Sequence, residues 1–142
     1  MHKALFAATL ALAAPLAFSQ DVAPGLWEIT METRVPADPG FQPTPARITQ
    51  CITPQTAKDP GMLFSQMGNP GASNCRYQDR NYHAGNTFTF AMTCSGTFAL
   101  RSSGQVAFTK DTMEGTVSAI ANVGDKDVET TNKLSARRLG GC

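Results

Sequence analysis

Four cysteines, Cys51, Cys75, Cys94 and Cys142, constrain this chain more than any other feature, because all of them follow an N-terminal segment with the makeup of an export signal. Lys3 supplies a positive n-region, Ala4 to Ala14 form a nearly unbroken apolar h-region, and Ala17 and Ser19 put small residues where signal peptidase reads them. Cleavage is expected between Ser19 and Gln20. The apolar run ends at Pro15 and falls short of the roughly 20 residues that span a bilayer. A lipoprotein would need a cysteine where Gln20 stands. Residues 1–19 therefore read as a signal peptide and 20–142 as a single exported domain without a transmembrane anchor, periplasmic or secreted.

In an oxidising compartment an even cysteine count in a small domain reads as disulfides, and four cysteines allow three pairings. A four-thiolate zinc site would bring ligands in close pairs, and no two cysteines here are closely spaced. Cys51 and Cys75 flank a polar stretch rich in Pro and Gly, so joining them would close a poorly anchored loop. Cys94 with Cys142 would then tie a central strand to the chain end. The expected disulfides are therefore Cys51 with Cys75 and Cys94 with Cys142.

Without the signal, 123 of the 142 residues remain, enough for one domain with a modest core. Lys3 is the signal's one charged residue, which leaves 11 basic residues against 11 acidic ones. A neutral chain lacks the phosphate-neutralising surplus on which nucleic-acid binding rests. Arg76, Arg80, Arg137 and Arg138 come nearest to a basic patch and read as solvated surface.

Period-2 alternation marks the chain as mainly β. Trp27, Ile29 and Met31 alternate with Glu28, Thr30 and Glu32, and Phe88, Phe90, Met92 and Cys94 with their polar neighbours. Further strands are expected over 46–51, 75–82, 97–101, 105–109, 113–120 and 128–139. Turn signals separate them at Ala84-Gly85-Asn86, Ser102-Ser103-Gly104, Lys110-Asp111 and Asn122 to Lys126. Thr53-Pro54 and Asp59-Pro60 each set a capping side chain before a proline at the first helical position, which predicts short helical turns over 54–58 and 60–67. Short connections make sequential strands neighbours, so an antiparallel curved sheet or small barrel is expected, cored by Trp27, Phe88, Phe90, Phe98, Val106, Phe108 and Val117. The prolines from Pro36 to Pro45 favour an irregular loop.

No constellation of side chains announces chemistry. His2 leaves with the signal and His83 remains as the sole imidazole, which rules out a multi-histidine metal site within one mature chain. His83 with Asp79 and Ser95 or Ser73 would make a hydrolase triad on paper. There is no Gly-x-Ser-x-Gly elbow, however, and residues four apart on a strand are roughly 13 Å apart. Asp125, Asp127 and Glu129 lack most of a calcium loop, and no phosphate-cradling or dinucleotide glycine motif is present. Met62, Met67, Met92 and Met113 are scattered as core filler is, not as copper ligands are. No cofactor, metal or catalytic residue is assigned.

Pro24-Gly25-Leu26-Trp27-Glu28, Gln50-Cys51-Ile52-Thr53-Pro54, the downstream Cys75 and Cys94, and the ending Ala136-Arg137-Arg138-Leu139-Gly140-Gly141-Cys142 occur in one order across the mature chain. In this the chain resembles the bacterial exported family known only as domain of unknown function 3617. The resemblance implies an exported all-β domain with disulfides, and no activity. Taken by themselves, Pro24 and Gly25 suit a turn into the first strand, Trp27 a core anchor, and Gly140-Gly141 a bend that lets Cys142 reach its partner.

Three functional readings follow. The first is a non-enzymatic binding domain for a small apolar ligand or a cell-envelope partner. The second is a structural or inhibitor-like envelope protein presenting the loop 36–45 or 54–70. The third is an enzyme built on His83 with Asp79 or Tyr82, which rests on a single imidazole.

Overall fold

A computed structural model describes residues 22–66, 72–84, 86–97 and 99–142. The expected signal peptide, Met67, Gly85 and Phe98 lie outside the described residues. Seven antiparallel strands form one open sheet: β1 (Gly25–Arg34), β2 (Ala46–Ile52), β3 (Ala72–His83), β4 (Thr87–Gly96), β5 (Leu100–Phe108), β6 (Thr112–Val123) and β7 (Lys126–Gly140). Two short helices, α1 (Pro54–Lys58) and α2 (Gly61–Gln66), connect β2 to β3. The strand order is β2-β1-β7-β6-β5-β4-β3. From β3 onward the chain is a meander whose last strand turns back to pair with the first.

One face of the sheet carries the core. Trp27, Phe88, Val106, Phe108, Met113 and Leu134 are buried on it, and Ile52 at the end of β2 with Ala57, Leu63 and Phe64 from the helical segment belong to the same buried cluster. Met31 on β1 and Phe90 on β4 border the same small cavity although three strands separate β1 from β4. At about 4.8 Å per strand a flat sheet would hold them nearly 20 Å apart, so the sheet curves around its core. Thr53 caps α1 by accepting the Thr56 amide.

Three local expectations need correction. Ser102-Ser103-Gly104 is not a turn: β5 begins at Leu100 and runs straight through it. Gly104 serves packing, since a Cβ there would meet the Phe90 ring at 3.0 Å and the Thr116 carbonyl at 2.8 Å. The second helix begins at Gly61, one residue later than expected, and the Asp59 carboxylate is engaged by β3. Of the stretch 54–70, the described part, 54–66, is not a presented loop either, because Ala57, Pro60, Leu63 and Phe64 are buried beneath the sheet.

The disulfides also differ from expectation: Cys51 joins Cys142 and Cys75 joins Cys94. The reason is topological. Cys51 and Cys75 are adjacent in sequence, but β2 and β3 are the two edges of the sheet. Leu26 pairs with Cys51 on one side and Gly140 on the other, so Cys142 reaches Cys51 around the start of β1. Gly25 permits this approach: its φ is +142°, and any Cβ would collide with the Gly140 carbonyl. Cys75 and Cys94 are cross-strand neighbours, next to the Arg76 and Thr93 pair.

Loop length ranks the two crosslinks. With sequence separations of 91 and 19, the chain-entropy account gives about 4.6 kcal/mol for Cys51–Cys142 and about 3.3 kcal/mol for Cys75–Cys94. Non-reducing peptide mapping is expected to return these two pairs. Denaturant titration is expected to show Cys142→Ser costing more than Cys94→Ser; the reverse order would mean that native strain outweighs loop entropy.

Candidate functional site

Inside the curve of the sheet lies an apolar cavity of about 60 Å³. Its walls alternate inward from four adjacent strands: Phe90 and Met92 on β4, Leu100 on β5, Val117 and Ala119 on β6, and Leu134 on β7. Met31 closes it from β1 and Phe64 roofs it from α2. Phe64 is held there by stacking on Phe88 and Phe90, with ring centroids 5.9 and 5.6 Å away. Two polar side chains interrupt this lining, Ser102 and Asn132.

These two differ in one respect. Asn132 is committed: its Oδ1 accepts from Thr33 Oγ1 at 2.7 Å, and its Nδ2 donates to the Val117 carbonyl at 3.3 Å and to Thr130 Oγ1 at 3.4 Å. Ser102 is 8 % exposed, and among the described residues its Oγ alone is a buried side-chain polar atom with no hydrogen-bond partner. Such a group keeps its desolvation cost without recovering a hydrogen bond. Sequence reading passed over Ser102 because Ser-Ser-Gly carries the signature of a turn. The signal that could have found it is its register, two residues from Leu100 and four from Val106 on one face.

A second cluster fixes the roof to the edge of the sheet. Asp59 Oδ1 accepts from Tyr82 Oη and from Arg80 Nη2, each at 2.5 Å. Tyr82 Oη accepts the Gly61 amide at 2.9 Å, and Tyr77 Oη donates to the Gly61 carbonyl. The Arg80 guanidinium lies over the Tyr77 ring, 5.1 Å from its centroid. Both phenols are pushed up to about 12 by burial. The hydrogen bond to Asp59 adds to the effect at Tyr82, and Arg80 opposes it at Tyr77.

The hydrolase residues are not brought together. His83 is exposed at one end of β3 with its Nε2 2.8 Å from Thr89 Oγ1, and Asp79 accepts from Asn81. Ser73 and Ser95 face each other at the opposite end, ten residues along β3 from His83, or about 30 Å. Tyr82 points to Asp59, away from His83's face. Asp127 is engaged by Arg101 and Asn122, and among the described residues no three His, Cys, Asp or Glu side chains cluster to hold a metal. Three of the four arginines of the sequence-read patch are engaged: Arg80 binds Asp59, Arg137 binds Glu28, and Arg138 donates to the Pro24 carbonyl. Trp27 is fully buried, with Nε1 donating to the Ala23 carbonyl.

Two measurements follow. Tyr77 and Tyr82 are the chain's two tyrosines, so absorbance at 295 nm isolates them. Both should ionise near pH 12 in the folded protein and near 10 once it unfolds. Because the folded values are raised, this contribution to stability is complete below pH 10 and is lost between about 10 and 12. In addition, Ser102→Ala should leave the protein as stable as before or up to about 1 kcal/mol more stable, since it removes an unpaired buried hydroxyl. A loss of more than that in denaturant titration would mean the hydroxyl has a partner.

Among the described residues no helix is long and apolar enough to cross a membrane, and two disulfides fit an oxidising compartment. No curated protein and no solved structure matches the chain. The family described as Protein of unknown function (DUF3617) matches it over residues 22–142, a span that takes in both disulfides, the cavity and the roof. The chain is therefore a member of the DUF3617 family.

Proposed function

We propose that this protein is exported through residues 1–19, acts in the periplasm or outside the cell, and binds a small apolar ligand without transforming it. The observation that carries this reading is the cavity under Phe64, apolar on nearly every side and holding one unpartnered hydroxyl at Ser102. A core selected only for stability would fill that space or pair that group. At about 60 Å³ the cavity is smaller than the ~150 Å³ void that takes up benzene. Met31, Met92 and the roof residue Phe64 are the walls that adapt, since methionine repacks with little strain and α2 is a single short helix.

The envelope-interaction reading retains one supporting observation. Phe41 is 51 % exposed in the loop between β1 and β2, flanked by Pro39 and Pro43. An exposed aromatic ring on a proline-stiffened loop suits recognition of a protein partner. It would coexist with the cavity, because the loop lies outside it.

Native mass spectrometry of the protein exported through its own signal and purified without reductant tests the main reading. The expected species begins at Gln20, lies four hydrogens below the reduced mass because of its two disulfides, and carries a discrete added mass. Ala119→Phe, which fills the cavity from β6, should lose that added mass while keeping the disulfides. An adduct that survives this substitution would place the ligand elsewhere.

A further inference from the structure

We propose that the cavity selects an uncharged alkyl compound bearing one hydroxyl or carbonyl, which hydrogen-bonds Ser102 while its chain runs toward the end of the sheet at Ala121 and Val128. The inference rests on the binding reading above and specifies the ligand's chemistry.

The polar requirement comes from Ser102. Its Oγ is buried and unpartnered, and it can donate to a carbonyl or exchange hydrogen bonds with a hydroxyl. Asn132 has already spent both ends of its amide, so among the described residues the cavity presents one unmet polar side chain. A ligand with a single hydrogen-bonding function matches that count.

The demand for neutrality comes from the lining. Among the described residues no Asp, Glu, Lys, Arg or His borders the cavity. Asp59 and Arg80, which do not line it, are paired with each other. A carboxylate or ammonium entering this space would lose its hydration with no countercharge to replace it.

The direction of the chain follows from register. Ser102, Ala119 and Thr130 occupy one row across β5, β6 and β7; Leu100, Ala121 and Val128 form the next row outward. Exposure rises along that path, from buried Ala119 through partly buried Ala121 to Val128 at 38 % and Val123 at 44 %. An apolar track thus leads from the orphan hydroxyl to solvent, with alanines on β6 leaving room beside it.

The test uses the oxidised, exported protein and five six-carbon probes: 1-hexanol, 2-hexanone, hexanoate, hexylammonium and hexane. Binding is read by calorimetry and by chemical-shift changes of the Ala119 and Ala121 methyls. Hexanol and hexanone should bind at least about tenfold more tightly than hexanoate or hexylammonium at pH 7. Ser102→Ala should weaken hexanol by about 2- to 10-fold and leave hexane unchanged. Should Ser102→Ala fail to fold, Ser102→Val removes the same hydroxyl with a different fill. Hexanoate binding as well as hexanol, or hexanol indifferent to loss of the hydroxyl, would overturn this proposal and leave the binding reading standing. If none of the five probes binds, the binding reading falls and the proposal falls with it.

Discussion

The antiparallel pairing of β1 with β7 is the interaction on which the rest of the structure depends. It joins the first strand to the last, so that a meander that would otherwise expose β7 is continued by β1 and β2. Because β2 ends at Ile52 on one edge and β3 begins at Ala72 on the other, the nineteen-residue connection carrying α1 and α2 must travel across the inner face. The same pairing brings Gly140 against Leu26 and so delivers Cys142 to Cys51. Core roof and long-range crosslink are both consequences of one strand pairing.

The roof covers the inner face unevenly. Near the Tyr82 end it is bound firmly: Asp59 and Gly61 are held by two tyrosines and an arginine, and Leu63 is buried with Trp27, Phe88 and Val106 in one cluster. Away from that end, Phe64 is the roof side chain that borders the cavity. Beyond that ring the facing residues are small or flexible, with Ala119 on β6, Met92 on β4 and Met31 on β1. Hydrophobic burial is thus concentrated at one end, and space with an unpaired hydroxyl is left at the other. A domain divided in this way can keep its stability in the latched half while the other half accommodates a ligand.

Much of the fold was legible in the sequence because burial on a curved sheet leaves a period-2 trace. The alternation around Trp27 and Phe88 gave both strand and inner face, and Thr53-Pro54 marked the start of α1. The candidate site was far less legible. Ser102 lies in a tripeptide whose local preference is a turn, and only the pairing of β5 with β4 and β6 across it holds the segment extended. Asp59 carries the local signature of a helix cap, yet a phenol and a guanidinium from β3 claim its carboxylate. Arg80 and Tyr82 were visible only as surface charge and as a neighbour of His83.

What the sequence by itself determined is therefore local or compositional: the strands, the short helices, the even cysteine count, the neutral charge balance and the want of any catalytic motif. Each follows from neighbours a few residues apart or from totals along the chain, which need no third dimension. The tertiary structure alone decided which cysteines join, which polar group is left without a partner, and where the core stays open. Those outcomes depend on strand order, and strand order brings together residues such as Cys51 and Cys142, or Ser102 and Asn132, whose separation in the chain carries no local signal.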